Sequence, residues 1–245
     1  MKMNQNKLLI VIPCFNEQKT LEDVLLACPK KIKNIDKIDI LVIDDGSNDK
    51  TGEIAKKNNC ILLTNIENMG LGVSILKGFN FARENNYNYM TNIDGDGQFD
   101  PKDIAKLAKP VVEGIADIVT GSRFIDRNLI PKNMPIIKRL GNFLFSKIVS
   151  FISNQNLEDV SCGFRFYNSE AIFKTILFGK FTYTHEMLVS FSAKNLNIKE
   201  IPIRVKYFKD RKSNISGNLL KYGFSSLLII LKTFRDYFPM RFFLC

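Results

Sequence analysis

Asp94 and Asp96 stand two residues apart in the sequence Ile-Asp-Gly-Asp-Gly-Gln, and their carboxylates are of the kind that bind a metal ion. Residues 87–93, which come directly before, are rich in strand-forming side chains and predict a strand. In an open α/β sheet, ligands bind outside the carboxyl ends of the strands. Mg²⁺ and Mn²⁺ prefer oxygen ligands and are often held by one or two carboxylates together with substrate phosphates. The stretch therefore predicts a metal-bridged nucleotide diphosphate.

Two other interpretations of the same stretch stay open. Asn92, Asp94, Asp96, Gly97 and Asp103 fall on positions 1, 3, 5, 6 and 12 of a calcium-binding EF-hand loop. Position 12 lacks the bidentate glutamate, however, and the preceding segment is predicted as a strand where an EF-hand has a helix. The stretch would otherwise be a solvated acidic turn between a strand and a helix.

The composition is that of a globular protein with anionic partners. Of 245 residues, 45% are hydrophobic, and the net charge of +10 favours nucleotides, phospholipid headgroups or nucleic acid as ligands. The five cysteines are scattered without a CxxC pair, so they indicate neither a disulfide framework nor a zinc site, and a reducing cytoplasm fits best. We predict no signal peptide and no transmembrane helix, because the apolar runs 8–13 and 222–231 are too short.

Strands alternate with helices over residues 7–121, which predicts a mostly parallel sheet. The predicted strands are 8–13, 39–43, 60–64, 87–93 and 116–120. Four helices are predicted between them: the first at 18–27, the second after a cap at Ser47 or Asp49, the third at 70–86 and the fourth at 101–114. Thr20 and Asp23 are expected to cap the first helix, and Asp100 and Pro101 to begin the fourth. Pro110 is expected to kink or end that helix. Beyond residue 126 we predict helices at 131–153, 168–177 and around 186, and a strand at 198–207.

Several short motifs, taken in order, resemble those of the family 2 glycosyltransferases. They are IPCFNE at 12–17, DDGS at 44–47, DGDGQ at 94–98, GSR at 121–123 and the run from Asp159 to Arg165. Within that family the chain is most similar to the dolichyl- or polyprenyl-phosphate sugar transferases, over roughly residues 7–217. The resemblance implies a GT-A fold, an α/β domain with a Rossmann-like, mostly parallel sheet flanked by helices. It also implies a divalent metal, Mg²⁺ or Mn²⁺, and inverting transfer from a nucleotide-diphosphate sugar.

The resemblance also implies roles for single residues. Pro13, Phe15, Glu17 and Asp45 would line the base and ribose pocket, with Phe15 standing where the family often has tyrosine. Asp94 would lie near the ribose and the metal, Asp96 would bind the metal, and Gln98 would orient the donor or the reaction centre. Arg123 would approach the phosphates, where its charge offsets the negative charge of the leaving diphosphate.

The second half of the chain would supply the remaining groups. Asp159 is expected to be catalytic or to position the acceptor, whereas Glu186 is equally well explained as a helix cap or ion-pair partner. Arg211 and Lys212 resemble a basic loop that closes over the phosphates, although Asn214 replaces the usual lysine. Together with Arg165 they would hold an acceptor phosphate, which is already ionised at neutral pH. A sugar hydroxyl would instead depend on Asp159 as a general base.

The C-terminal segment, residues 218–245, predicts an amphipathic helix that follows the catalytic domain of residues 1–217. One face carries apolar residues at spacings of three and four: Leu220, Phe224, Leu227, Leu231, Phe234 and Phe238. Lys221, Lys232, Arg235 and Arg241 supply cationic groups beside that face. We expect a helix in the membrane interface, and the alternative is a helix packed on its own domain or on a second subunit.

The leading hypothesis is metal-dependent, inverting transfer of a hexose from a GDP- or UDP-hexose to a polyprenyl (dolichyl or undecaprenyl) phosphate. The protein would bind peripherally to the cytoplasmic face of the membrane, where a membrane-anchoring subunit could assist. One alternative keeps the fold but uses a sugar hydroxyl as acceptor, in the synthesis of cell-surface polysaccharide or glycolipid. Another is a non-catalytic nucleotide-sugar-binding module. Nucleic acid is disfavoured because the basic residues are dispersed and no recognition motif is visible.

Overall fold

A single mixed sheet is the centre of the computed structural model, which describes residues 5–131, 133–177, 183–207 and 219–244. Its strands within those ranges are β1 (Lys7–Cys14), β2 (Lys37–Asp44), β3 (Ile61–Thr64), β4 (Tyr89–Asn92), β5 (Ile118–Ser122), β6 (Arg165–Asn168) and β7 (Ile198–Pro202). They lie in the order β3-β2-β1-β4-β6-β5-β7. The neighbouring pairs are parallel except on the two sides of β6, which runs antiparallel to both β4 and β5. The predicted, mostly parallel sheet is therefore confirmed.

Helices cover both faces of the sheet. They are α1 (Leu21–Ala27), α2 (Thr51–Lys57), α3 (Leu71–Glu84), α4 (Ile104–Val112), α5 (Ile136–Ser153), α6 (Ser169–Lys174), α7 (Thr184–Ala193), α8 (Leu219–Tyr237) and α9 (Pro239–Leu244). Alternate residues of β1 face opposite cores: Leu8, Ile10 and Ile12 join one apolar cluster, whereas Leu9 and Val11 join the other. A strand that is covered on both faces must be apolar at every position, which explains the continuous run at 8–13.

Pro110 does not end the fourth helix, because α4 continues to Val112 with the proline inside it, whereas the alternative that it kinks the helix stays a prediction. Proline cannot donate the backbone hydrogen bond of an interior helical residue. Here that loss falls in the last turn, which ends two residues later. The chain then turns at Gly114, whose φ of 71° lies in the left-handed region that suits glycine.

The C-terminal helix packs in part on its own domain. α8 packs against α7 and α5, and the side chains buried in that contact are Ser226, Ile230, Thr233 and Phe234. Of the predicted apolar face, Phe234 is thus buried in the protein, whereas Phe224 and Leu231 are exposed together with Leu228. Phe238 packs partly against the same cluster, so the C-terminal end of the predicted stripe follows the alternative of packing on its own domain. Contact of the exposed part with a membrane stays a prediction. None of the helices in the described ranges has the length and apolar character needed to cross a bilayer.

Candidate active site

Three loops meet at the carboxyl ends of β1, β2 and β4. The loop after β1 is tied to the loop after β2, because the backbone N–H of Asn16 donates to Ser47 Oγ at 2.9 Å and that of Glu17 donates to Thr51 Oγ1 at 2.9 Å. Asn16 has a φ of 57° and accepts from the Asn48 N–H through its side chain. These bonds fix Phe15 and Glu17, both half-buried, beside the acidic end of β2. Pro13 is buried within β1 itself, paired with Ile43.

The acidic turn after β4 is joined to the same loops. Thr20 Oγ1 donates to the Gly95 carbonyl at 2.8 Å, so this residue fastens the turn. Its predicted capping role is wrong, since its side chain makes no capping hydrogen bond to α1. Gly95 packs so tightly on Cys14 that a Cβ atom there would lie 2.5 Å from the sulfur, which explains the glycine. The Gln98 N–H donates to Asp96 Oδ1 at 2.9 Å and closes the turn.

Asp94 and Asp96 are both half-buried, and their carboxylates offer the oxygen donors that Mg²⁺ and Mn²⁺ prefer. Among the described residues, no group of three or more His, Cys, Asp or Glu side chains is arranged to hold a metal ion. Two protein carboxylates completed by substrate phosphates fit this donor set. Burial and the nearby carboxylates of Glu17 and Asp44 raise the pKa of Cys14 well above its usual value, so this thiol stays protonated and is a poor ligand.

The calcium-loop interpretation is excluded by what surrounds Asn92. The segment that leads into the loop is strand β4 and not a helix. The Asn92 side chain is buried and donates to the Gly163 carbonyl and, at 2.9 Å, to the Tyr183 hydroxyl. Its amide oxygen accepts from the Tyr167 hydroxyl at 2.9 Å. Asn92 therefore ties the end of β4 to β6 and α7 instead of binding an ion.

Asp45, at the end of β2, holds the loop that precedes α3. Its Oδ1 accepts from Asn65 Nδ2 and from the Met69 N–H at 3.0 Å, and its Oδ2 accepts from the Gly70 N–H at 2.9 Å. Gly70 adopts a φ of 94°, a conformation that suits glycine, as the chain enters α3. The predicted contact between Asp45 and the donor's base or ribose stays a prediction, and in this structure the side chain holds the loop 65–70.

A second group of residues lies at the carboxyl end of β5. Asp159 is fully buried and forms a bidentate ion pair with Arg123: Nε donates to Oδ2 at 2.6 Å and Nη2 donates to Oδ1 at 2.7 Å. The Arg123 backbone N–H also donates to Asp159 Oδ2, at 3.0 Å. Burial alone would lower the pKa of Arg123, but the adjacent carboxylate outweighs it and raises that pKa. Arg123 and Asp159, for which the sequence predicts separate roles, are therefore paired in the structure.

Further polar side chains, none of them predicted from sequence, support this ion pair. Arg123 Nη2 donates to Ser161 Oγ at 2.7 Å, and Nη1 donates to the Tyr207 hydroxyl at 3.1 Å. Ser161 donates in turn to Asn142 Oδ1 at 2.8 Å, and Asn142 Nδ2 donates to the Glu158 carbonyl at 2.7 Å. The spacing of Asn142 and Ser146 on the buried face of α5 was the only signal in the sequence for this arrangement.

The predicted role of Arg165 as a phosphate ligand is corrected by its burial. Its side chain is fully inside the protein, where Nη1 donates to the Thr184 carbonyl at 3.0 Å and Nε to Thr120 Oγ1 at 3.3 Å. Nη2 donates to the Val160 carbonyl at 3.4 Å. A guanidinium bound to three segments of the fold cannot reach a ligand in this arrangement, so Arg165 joins β6 to β5 and α7.

His185 and Glu186 begin α7, and both are buried. Burial, followed by the nearby Arg165, lowers the pKa of His185 to about 3, so the imidazole is neutral at physiological pH. Its ring packs on Phe145 of α5 with the ring centroids 5.2 Å apart. The imidazole therefore packs as part of the core between α7 and α5.

Gln98 connects the acidic turn to the segment 205–207. Its carbonyl accepts from the Lys206 N–H at 2.9 Å, and Phe99 bridges to Val205, so the acidic turn is joined to residues 205–207. Arg211 and Lys212 follow directly in sequence but lie outside the described residues. Their predicted contact with phosphates stays a prediction.

Comparison with known proteins adds independent findings. A family model described as "Glycosyl transferase family 2" matches residues 9–175. An uncharacterized protein of Methanocaldococcus jannaschii is 33% identical over 236 residues, which cover 95% of each chain. The UDP-N-acetylglucosamine–dolichyl-phosphate N-acetylglucosaminyltransferase of Methanococcus voltae is 26% identical over 250 residues, covering 94% of this chain and 98% of the relative.

Among solved structures, glucosyl-3-phosphoglycerate synthase from Mycobacterium tuberculosis, in complex with Mn²⁺, UDP-glucose and phosphoglyceric acid, is similar with a TM-score of 0.68. Its identity to this chain is 17%, and the match covers 95% of this chain and 79% of that one. At this identity the likeness concerns the fold, and it confirms the predicted fold class.

Proposed function

Because this chain belongs to glycosyl transferase family 2, we propose that it is a metal-dependent, inverting enzyme that moves a hexose from a nucleotide-diphosphate sugar to a polyprenyl phosphate. The family and the fold support sugar transfer in general. The choice of acceptor, the metal and the membrane location are the finer parts of the proposal, and each rests on particular contacts.

The donor half of the proposal rests on the turn that carries Asp94 and Asp96. Mg²⁺ or Mn²⁺ bound there would offset the negative charge that the diphosphate gains as the sugar bond breaks. Asp96 and Asp94 would hold the ion and Gln98 would orient the donor, while Phe15 offers an aromatic face for the base. The Mycobacterium tuberculosis structure, which contains Mn²⁺ and UDP-glucose, supports this assignment.

The acceptor half rests on the buried ion pair between Arg123 and Asp159, which is the observation that carries the proposal. A sugar hydroxyl needs a general base within reach, and Asp159 was the candidate. Its carboxylate, however, is fully buried and accepts three hydrogen bonds from Arg123. An acceptor that is already ionised needs no such base, and a phosphate monoester meets this condition at neutral pH. The Methanococcus voltae relative, whose name includes dolichyl phosphate, supports the same class.

A donor panel tests the proposal directly. Purified protein with Mn²⁺ or Mg²⁺ is incubated with UDP- and GDP-sugars and a polyprenyl phosphate, and the lipid-linked sugar is measured by mass spectrometry. We expect one donor to give a polyprenyl-phosphate sugar only when metal is present. Product formed only on sugar hydroxyls would instead favour polysaccharide or glycolipid synthesis. Tight donor binding without any product would favour a non-catalytic module.

Membrane association is supported by the outer face of α5. Its apolar side chains point away from the protein and are between 56% and 81% exposed: Ile136, Ile137, Leu140, Phe143, Leu144 and Phe151. Arg139 and Lys147 are exposed on the same helix and offer charge that suits anionic lipid. Lys138 Nζ lies 5.9 Å from the centre of the Tyr207 ring, which brings α5 beside the Arg123 pair. A lipid-bound phosphate would thus meet both features together.

Polar substitution of the α5 face should weaken membrane binding without unfolding the protein. We expect Leu140→Ser, Phe143→Ser and Leu144→Ser, combined, to lower the affinity for phosphatidylglycerol vesicles by about tenfold or more, since apolar burial and charge act together. Sedimentation with the vesicles measures this.

The matched control makes three serine substitutions at apolar residues that are exposed elsewhere, Leu26, Ile66 and Ile115. This control should bind vesicles like the wild type, and soluble donor binding should survive in both variants. Equal vesicle binding by the α5 variant and the wild type would contradict a membrane role for α5.

A further inference from the structure

Glu200 connects the edge of the sheet to the backbone that carries Asp159. It lies in β7, in register with Thr120 of the neighbouring strand β5. Its Oε2 accepts from the Glu158 N–H at 2.7 Å, and its Oε1 accepts from the Asp159 N–H at 2.8 Å. One carboxylate therefore clamps two consecutive peptide groups that lie far from it in sequence. Bonds of this kind, from N–H to an ionised oxygen, are short and strong.

The clamp acts on the residue that orients Arg123. The Asp159 carboxylate accepts three hydrogen bonds from the backbone and guanidinium of Arg123 and a longer one, at 3.3 Å, from Ser161 Oγ, so a shift of the Asp159 backbone would move that guanidinium. On the other side of the same loop, Asn142 Nδ2 and Ser146 Oγ donate to the Glu158 carbonyl. The peptide before Asp159 is thus held from β7 through its N–H groups and from α5 through a carbonyl.

The surroundings of Glu200 make an ionised carboxylate unfavourable at this position, so protein stability alone does not explain the residue. Burial raises the pKa of Glu200 to about 7; the two N–H donors oppose that rise, and the nearby Asp159 and Glu158 carboxylates add to it. The other titratable groups near the pair are Arg123, Lys138, whose pKa is lowered by burial and by Arg123, and His185, which is neutral. An amide would fill the same space without the burial penalty of a charge. The presence of a carboxylate is instead explained by the two hydrogen bonds through which it holds the N–H groups of Glu158 and Asp159.

We propose that Glu200 is a positioning residue for sugar transfer, which fixes the Asp159 backbone and thereby the Arg123 guanidinium beside the bound diphosphate. The inference rests on the proposed function for its catalytic consequence. Its structural part, that Glu200 holds the Asp159 N–H, can be tested separately. A small displacement of a group from its productive position can lower the reaction rate by about one to two orders of magnitude.

The directions in which stability and activity change with pH distinguish a positioning role of Glu200 from a purely structural one. The folded-state pKa of Glu200 lies above its ordinary value near 4.5, so the folded protein binds this proton more tightly than the unfolded chain. The stability that this group contributes is therefore lost as the pH rises toward about 7. The clamp, in contrast, needs the ionised carboxylate and is complete only above that pH. Removing the charge should thus affect stability and activity in opposite directions as the pH increases.

The test compares wild type, Glu200→Gln and the matched control Glu113→Gln, which removes an exposed charge that is not among the groups acting on Glu200. For Glu200→Gln we expect the transfer rate to match the wild type at pH 5.5 and to be about tenfold lower at pH 8. Its melting temperature relative to wild type should rise over the same range. Backbone amide exchange at Asp159 should be faster than in wild type at pH 8, while the control should resemble wild type in all three measurements.

Three outcomes would overturn the proposal. They are unchanged Asp159 amide exchange in Glu200→Gln, a transfer rate that falls in parallel with the melting temperature at every pH, and a wild-type rate that shows no increase as the pH passes 7. The last measurement needs no variant and so covers the case in which Glu200→Gln fails to fold. Absence of lipid-linked product from the wild type would contradict the proposed function instead, and the amide-exchange comparison would still decide whether Glu200 holds the loop.

Discussion

Replacing Asp96 by asparagine should lower sugar transfer by about 10²-fold or more while the protein stays folded. Asparagine keeps the oxygen that accepts from the Gln98 N–H, so the turn survives, but it removes the negative charge that would hold the metal ion. Transfer then loses the group that offsets charge on the leaving diphosphate, and single interactions of that kind are typically worth 10²–10³-fold. The initial rate with saturating Mn²⁺ measures the effect.

Calorimetric titration with UDP and Mn²⁺ shows whether the loss arises at the metal. Asp96→Asn should bind UDP with little or no enhancement by Mn²⁺, whereas Asp23→Asn, an exposed carboxylate on α1, should behave like the wild type. Near wild-type turnover of Asp96→Asn at low metal concentration would show that Asp96 is not a metal ligand.

Arg123→Ala is expected to lower both stability and turnover. Its partner Asp159 would be left fully buried without the guanidinium, and removing one member of a buried ion pair typically costs about 3–5 kcal/mol in the free energy of unfolding. We expect turnover to fall by about 10²-fold as well, because a positive charge near the leaving diphosphate is removed. Urea denaturation and initial-rate measurements provide the two values.

A double variant separates these two effects. Replacing Arg123 by methionine and Asp159 by leucine removes both charges and fills the same space, so stability should return toward that of the wild type. Turnover should stay low, since no charge replaces the guanidinium. Recovery of turnover together with stability would mean that the ion pair supports the fold only.

The first half of the sheet could be predicted well because its signals are local. The runs at 8–13 and 40–43 are apolar at every position, as strands covered on both faces require, and each ends in residues with site chemistry. The acidic turn after β4 could be located for the same reason. The ordered motifs then indicated the family, and with it a fold that periodicity alone does not define.

The second half was harder to predict because its residues depend on distant partners. β6 has only four residues, begins with an arginine and ends with an asparagine, so no strand pattern is visible. Arginine is rarely buried without such partners, and the carbonyls that bind Arg165 come from segments on either side of it in sequence. Glu200 gave no signal either, since its local sequence does not reveal the peptide groups that it binds.

The buried face of α8 could not be predicted for a related reason. Spacing identified the large apolar side chains, but the contact with α7 is made partly by the small residues Ser226 and Thr233, which let two helices approach closely. Hydrophobic periodicity gives such residues little weight. Periodicity therefore predicts the helix correctly but does not identify which of its faces is buried.

The antiparallel insertion of β6 has a consequence for synthesis on the ribosome. Both sheet neighbours of β5, namely β6 and β7, come later in the chain, so the strand Ile118–Ser122 has no partner when it emerges. It is buried at every position in the finished protein, and a strand whose edges and core-facing side chains are left open is prone to aggregation. We expect nascent chains stalled before residue 165 to be protease-sensitive beyond β4 and to recruit chaperones, and chains extended past residue 202 to be protected. Limited proteolysis of the stalled complexes would reveal this, and early protection of β5 would show that it folds without its sheet neighbours.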